Sequence, residues 1–150
     1  MEVDPASAGF DLEAALRRLG LESFRPGQRE AITTLLDAGR LLLIAPTGGG
    51  KSLSFQLPAL LLPGTTVVLS PLIALMADQV QALNARGVAA TFLASTLPGP
   101  EISARLSALA RGQYKLVYAA PERLGSPAFR DILRRIHVPL IAVDEAHCIS

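Results

Sequence analysis

Two hydrophobic patterns alternate along the chain, and together they predict a regular succession of strands and helices. Short runs that are apolar or β-branched throughout are typical of strands buried on both faces. They cover residues 40–45, 65–70, 88–93, 114–119 and 138–143. Between and before them, apolar residues recur at helical spacing, and glycines mark several ends. The predicted helices cover residues 10–19, 50–61, 101–111 and 126–136, with two more running from 24–28 to 39 and from 71 to 87. Pro26 is expected in the first turn of the former and Leu72 on the buried face of the latter. This alternation favours an α/β fold with a doubly wound, mostly parallel sheet, which binds ligands at the carboxyl ends of its strands.

Residues 45–52 (APTGGGKS) lie between the first predicted strand and its helix. Three consecutive glycines carry no Cβ, so their N–H groups can approach an anion, and the following helix points its positive end at the same place. Lys51 can reach the outer phosphates, and the Ser52 hydroxyl can ligate Mg²⁺. The stretch predicts a phosphate-binding loop for a nucleoside triphosphate, although Ala45 stands where the general pattern begins with glycine. Its predicted binding residues are Thr47, Gly48, Gly49, Gly50, Lys51 and Ser52.

The last predicted strand runs directly into two acids, Asp144 and Glu145. At a strand's carboxyl end, Asp144 would hold the Mg²⁺ hydration shell opposite Ser52. Glu145 would orient and deprotonate the water that attacks the γ-phosphate. Acid pairs after strands also occur simply as helix N-terminal charges. Beside a phosphate loop the hydrolytic role is favoured, and Lys51, Asp144 and Glu145 are the predicted catalytic residues.

Composition limits the possible classes of protein but does not indicate a function. The 150 residues are 50% hydrophobic, which suits one globular domain over residues 10–150 after a loose leader at 1–9. A net charge of +1 carries no nucleic-acid signal. The single cysteine, Cys148, excludes an intrachain disulfide, and there is neither a signal peptide nor a membrane-length apolar run. We therefore expect a cytoplasmic protein without a membrane partner.

Residues 144–150 (DEAHCIS), 24–28 (FRPGQ) and 46–58 together resemble the RecQ family of superfamily 2 DNA helicases. Residues 69–80 and 118–124 resemble further motifs of the family, in the family's order. The resemblance implies a RecA-like P-loop nucleotide-binding domain, with ATP and Mg²⁺ as cofactors. It also implies an enzyme that unwinds DNA in the 3′ to 5′ direction during repair and recombination, on single-stranded or forked DNA.

The resemblance assigns two further residues to ATP. Gln28 would read the adenine edge, because its amide carries both a donor and an acceptor. Arg25 would flank the same base. Without the resemblance, Gln28 would be interpreted as an exposed helix residue.

The resemblance also places DNA-backbone contacts on three segments. Ser70 and Pro71 would present a helix N-terminus to a phosphate. Ser95 and Thr96 would contact a second phosphate, and Arg123 a third, unless it is an ordinary surface arginine. Gln79, further along the helix that follows Pro71, is expected to be solvated. His147 would couple the nucleotide site to the DNA site; its alternative is a histidine buried in the core.

In the family, an aromatic-rich loop, a Ser-Ala-Thr strand and a second RecA-like domain with an arginine finger follow the motif at residues 144–150. We therefore expect this chain to be the N-terminal part of a longer helicase, binding nucleotide weakly by itself and unwinding nothing. An arginine finger contributes about 10³–10⁵-fold to turnover. The predicted sheet would also lack one central strand, which leaves its neighbours with unpaired backbone groups.

Two alternatives stay open at this point. The chain could belong to a phosphate-loop kinase or another NTPase, which Gln28 and residues 144–147 (DEAH) argue against. It could also be a nucleotide- or DNA-binding module without catalysis, which the presence of Lys51 and Glu145 argues against.

Overall fold

A computed structural model describes residues 11–38 and 52–143 of the chain. From residue 66 onward, strands and helices alternate as the hydrophobic pattern predicts. The helices are α1 (Leu12–Arg18), α2 (Gln28–Ala38), α3 (Leu53–Leu61), α4 (Ile73–Ala85), α5 (Gly99–Ala110) and α6 (Pro127–Arg135), with a 3₁₀ helix at Pro121–Gly125. The strands are β1 (Thr66–Leu69), β2 (Ala90–Leu93), β3 (Leu116–Ala119) and β4 (Ile141–Val143).

The four described strands form one parallel sheet in the order β2-β3-β1-β4. In its register, Val67 of β1 lies between Val117 of β3 and Ile141 of β4. The predicted strand over residues 40–45 lies outside the described residues. The parallel α/β sheet is thus confirmed, and all of its described carboxyl ends lie along one edge.

Helices cover both faces of this sheet, which makes the fold doubly wound. On one face, alternate strand residues such as Val68 and Tyr118 pack in a core with α1, α2, α3 and α4. On the other face, Val67 and Val117 pack with α5 and with Phe129 of α6. Every residue of β1 and β3 is buried, because strands with helices on both faces have no solvent-facing side.

Three described helices end in the same Schellman cap, and the cap after α4 explains why β2 begins later than predicted. After α4, the N–H of Gly87 bonds to Asn84 O and that of Val88 to Leu83 O. The cap needs a left-handed residue, and Gly87 has a φ of +78°. Val88 therefore completes the helix cap, and β2 begins at Ala90, whose N–H and C=O both bond to the Asn84 side chain. Equivalent caps follow α1 at Gly20 and α5 at Gly112.

Two expectations at helix starts are wrong. Pro26 lies in a turn before α2, not in its first turn, because α2 begins at Gln28. Leu72 is 38% exposed instead of facing inward, because it is the extended residue that precedes α4. In both cases, the residue lies in a non-helical segment that immediately precedes the helix.

Candidate functional site

Much of the predicted nucleotide site lies outside the residues that the structure describes. The predicted site residues outside the described ranges are Thr47, Gly48, Gly49, Gly50, Lys51, Asp144, Glu145 and His147. Their roles stay predictions. What the structure does show is the frame around them: the start of α3 after the phosphate loop, and the end of β4 before the acid pair.

Ser52 immediately precedes α3 and is the first described residue after the phosphate loop. Its carbonyl accepts the N–H groups of Phe55 (3.2 Å) and Gln56 (2.9 Å), so Ser52 is part of the first helical turn. Its hydroxyl makes no capping bond to its own helix. A hydroxyl oxygen that is not used as a cap fits a hard cation such as Mg²⁺. Within the described ranges, no three His, Cys, Asp or Glu side chains gather as a metal site. Of the two predicted Mg²⁺ ligands, Ser52 and Asp144, the structure describes Ser52, and its role stays a prediction.

A tight turn holds Gln28 in place. The N–H of Gln28 bonds to the carbonyl of Arg25 (3.1 Å), with Pro26 and Gly27 in the middle and a φ of +85° at Gly27. This is the type II pattern, in which proline presets the first central residue and glycine supplies the left-handed second one. The Gln28 side-chain oxygen then accepts the N–H of Arg25 (2.6 Å).

Gln28 is 9% exposed, so the interpretation as an exposed helix residue is wrong. Arg25, by contrast, is exposed. The structure thus places the predicted adenine-reading amide at a fixed, buried position at the start of α2. Contact of either residue with ATP stays a prediction.

The sheet order brings the predicted DNA contacts into one line. Ser95 and Thr96 follow β2, Arg123 follows β3, and Ser70 follows β1. These three strands are neighbours, and adjacent strands lie about 4.8 Å apart. The three segments therefore span roughly 10 Å of one edge. The next strand in the same order, β4, leads to Asp144.

Among these three segments, Ser70 is buried, and its side chain stabilises the turn instead of facing the surface. It is 1% exposed, its N–H bonds to Ala119 O (3.0 Å), and its hydroxyl accepts the N–H of Leu72 (3.2 Å). The hydroxyl thus fixes the backbone between β1 and α4. Pro71, the next residue, is partly exposed. The Ser70 and Leu72 N–H groups are already paired and Pro71 has none, so a phosphate contact here would need the N–H groups of the first turn of α4, which begins at Ile73.

Arg123, Ser95 and Thr96 differ in how they are presented. Ser95 and Thr96 are exposed in the turn after β2. Arg123 is partly buried in the 3₁₀ helix, and its Nε is buried without a hydrogen-bond partner among the described residues. A buried guanidinium N–H normally finds an acceptor. Because the Nε itself is buried out of reach of a surface ligand, its missing bond does not indicate a phosphate, and a DNA contact of Arg123 stays a prediction.

The comparison with protein families decides the membership of this chain. The sequence profile of the DEAD/DEAH box helicases matches residues 25–150. The chain belongs to the DEAD/DEAH box helicase family. Its parallel sheet with helices on both faces is consistent with the RecA-like domain expected of that family.

Curated helicases of this family are also similar to the chain in sequence. It is 54% identical to "ATP-dependent DNA helicase RecQ" of Bacillus subtilis (strain 168) over 87% of the chain, which corresponds to 22% of that protein. It is 49% identical to the protein of the same name from Synechocystis over 92% of the chain, or 30% of that protein. The resemblance to RecQ helicases is therefore confirmed. The chain spans about a fifth to a third of the length of these relatives.

The sequence did not predict one hydrogen-bonded group of side chains in this domain. The side-chain nitrogen of Gln56 on α3 bonds to the hydroxyl of Tyr118 on β3 (2.9 Å) and to the side-chain oxygen of Gln79 on α4 (3.3 Å). The expectation that Gln79 is solvated is wrong, because Gln79 is partly buried and paired. An amide side chain within the largely apolar sequence of α3 was the signal that could have marked Gln56.

Proposed function

We propose that this chain is the ATP-binding part of a RecQ-type, ATP-dependent DNA helicase that tracks 3′ to 5′ along DNA in repair and recombination. Residues 10–150 form its first RecA-like domain, preceded by a leader at 1–9, and the protein acts in the cytoplasm. The names and sequences of the relatives support the ATP-dependent DNA helicase part of this proposal. No helix in the described part of the chain has the length and apolar character needed to cross a membrane.

The strand order β2-β3-β1-β4 is the observation that carries the proposal. It sets Ser95 and Thr96, Arg123, and the Ser70 turn side by side at one edge, and β4 continues the same edge toward the acid pair. A strand of DNA lying along this edge would pass three candidate phosphate contacts before reaching the nucleotide site.

On the nucleotide side, we propose ATP with Mg²⁺ as the cofactor. Hydrolysis of bound ATP supplies the free energy for movement along DNA. The phosphate loop at residues 47–51 would bind the phosphates, Ser52 and Asp144 would hold the metal, partly through water, and Glu145 would take the proton of the attacking water. Gln28 and Arg25 hold the base. His147, just beyond Glu145, couples this site to the DNA edge.

The proposed enzyme also needs a second helicase domain that supplies an arginine finger. The support is the share of the relatives that this chain covers, 22% for the Bacillus subtilis protein. An arginine finger contributes about 10³–10⁵-fold to turnover. Residues 1–150 by themselves should therefore bind nucleotide, hydrolyse it very slowly and unwind no DNA.

Nucleotide binding is tested by a thermal melt of this chain with and without Mg-ATP. Ligand at a hundred times its Kd should stabilise the folded state by about 2.7 kcal/mol. At this length, that stabilisation corresponds to a rise in Tm of about 5–10 °C. Lys51→Ala is the control that should lose the rise. An equal rise in both proteins, or none in either, would contradict a nucleotide site at the phosphate loop.

The DNA edge is tested by the salt dependence of single-stranded DNA binding by the full-length protein. Each lost phosphate contact lowers the slope of log K against log salt by about 0.7. Arg123→Gln should show that change, and Arg130→Gln, at an exposed position on α6, should not. Equal slopes for Arg123→Gln and the wild type would remove Arg123 from the proposed path.

A further inference from the structure

Helix α3 is apolar on nearly every side. Seven of its residues are buried: Leu53, Ser54, Phe55, Leu57, Pro58, Ala59 and Leu60. Hydrophobic burial has no direction, so a helix covered on all sides has weak apolar preference for one rotation about its axis. Pro58 also removes one backbone hydrogen bond inside the helix. A directional contact would therefore add to shape-complementary packing in setting the orientation of α3.

Gln56 supplies a directional contact from this helix. Its side-chain nitrogen bonds to Tyr118 on β3 (2.9 Å) and to Gln79 on α4 (3.3 Å). Tyr118 is 1% exposed on a strand that is paired on both sides, and its ring packs edge-on against Phe55, the residue before Gln56. The partner of Gln56 is thus held in a fixed place by the centre of the sheet.

Gln56 stands one helical turn above Ser52. The N–H of Gln56 bonds to Ser52 O (2.9 Å), and residues four apart lie on the same face of a helix. Any rotation of α3 that breaks the Gln56 contacts would carry the Ser52 hydroxyl with it. The same contacts also join α3 to α4, the helix that begins after the Ser70 turn.

We infer that Gln56 is a positioning residue: its hydrogen bonds to Tyr118 and Gln79 set the rotation of α3 and thereby place the Ser52 hydroxyl for Mg²⁺. This inference rests on the proposed function, because it takes Ser52 as a metal ligand. A merely structural role for Gln56 would change the stability of the protein and leave its Mg²⁺ requirement unchanged.

The test uses the full-length protein with Gln56→Met, which keeps the length of the side chain and removes its amide. Gln81→Met is the matched control, since Gln81 is exposed on α4. The primary measurement is the Mg²⁺ concentration that half-saturates binding of a fluorescent ATP analogue. Thermal melting without nucleotide is recorded beside it.

Loss of a hydrogen bond should raise the half-saturating Mg²⁺ concentration about two- to tenfold in Gln56→Met, with no change in Gln81→Met. Tyr118→Phe, which removes a single oxygen, should act in the same direction. Because both variants break the same contact, their effects in the double variant should be smaller than additive. If Gln56→Met does not fold, the same Mg²⁺ titration is made with Tyr118→Phe and Gln79→Met.

A lower Tm with an unchanged Mg²⁺ requirement in Gln56→Met and Tyr118→Phe would overturn the inference and leave the proposed function standing. Absence of Mg²⁺-dependent nucleotide binding by the wild-type protein would remove the proposed function, and the inference with it.

Discussion

Strands β3 and β4 belong to one sheet but are supported very differently. β3 pairs with β1 and β2, and all four of its residues are buried. In the part of the chain that the structure describes, β4 pairs with β1 alone, has three residues and leaves Ile141 58% exposed. Among the described strands, β3 at the centre is therefore the best supported, and the predicted catalytic acids follow β4, which is the least supported.

The largest expected effect is at the centre of the sheet. Leu116 on β3 is 0% exposed, and Leu116→Ala should lower the free energy of unfolding by about 2–5 kcal/mol, because it leaves a cavity where the core cannot fully collapse. Urea unfolding of the chain measures this loss. Leu124→Ala, at a leucine that is 38% exposed, is the control and should cost far less. Equal losses would show that β3 is no better supported than the surface.

The next effect is expected at Gly64, which lies just before β1 and against the segment that leads into β4. Gly64 has a φ of +94°, and a Cβ there would lie 2.3 Å from the carbonyl oxygen of His137. Gly64→Ala should therefore cost about 2–5 kcal/mol, from left-handed strain plus displacement of the segment that leads into β4. Gly87→Ala has the same strain without a neighbour within 4 Å, and it should cost about 1–2 kcal/mol.

Hydrogen exchange on Gly64→Ala would sharpen the comparison further. Amides of β4 should exchange faster than in the wild type, while those of β3 keep their relative protection, because the displaced segment leads to β4. Loss of protection that is uniform across both strands would mean that the sheet opens as one unit.

A smaller effect, of opposite sign, is expected at two neighbouring threonines on the entry to β1. The Thr66 hydroxyl is buried with no partner in the described part of the chain, so Thr66→Val should raise the free energy of unfolding by about 1 kcal/mol. Thr65 donates its hydroxyl to Tyr114 O (2.7 Å), so Thr65→Val should lower it by a similar amount. Thermal melts of both variants measure the difference, and changes of the same sign would contradict the assignment.

The smallest effect is expected on β4. Ile141→Thr keeps a β-branched side chain at a mostly exposed position, so it should change the free energy of unfolding by about 0.5 kcal/mol or less. The same substitution pattern at buried Val117, Val117→Thr, should cost clearly more. A large loss of stability in Ile141→Thr would show that β4 is covered in solution. It would contradict the difference in support between β3 and β4.

Local chemistry made much of the fold predictable. The helical ends at Gly20 and Gly87 follow from a cap that needs a left-handed residue within a few positions of its partners. Strand content followed from β-branched and apolar runs. Strand starts were less predictable, since Val88 is apolar enough for a strand and serves a helix cap instead.

The candidate site was predictable in its residue types and less so in their surroundings. Pro26 and Gly27 signal a turn, but the burial of Gln28 depends on packing between distant parts of the chain. Ser70 was predicted at a DNA contact, yet its hydroxyl holds the turn before α4. In both cases the residue type indicates a location, and the neighbours decide what the side chain does.

The sequence by itself determined which segments become strands and helices, where the phosphate loop and acid pair stand in the chain, and the likeness to RecQ helicases. The tertiary structure decided the order β2-β3-β1-β4, which sets Arg123 between the other two predicted DNA segments. It also decided the contact of Gln56 with Tyr118, 62 positions away. The physical reason is that periodicity and turn chemistry act over a few residues, whereas strand order and buried hydrogen bonds are chosen by packing the whole chain.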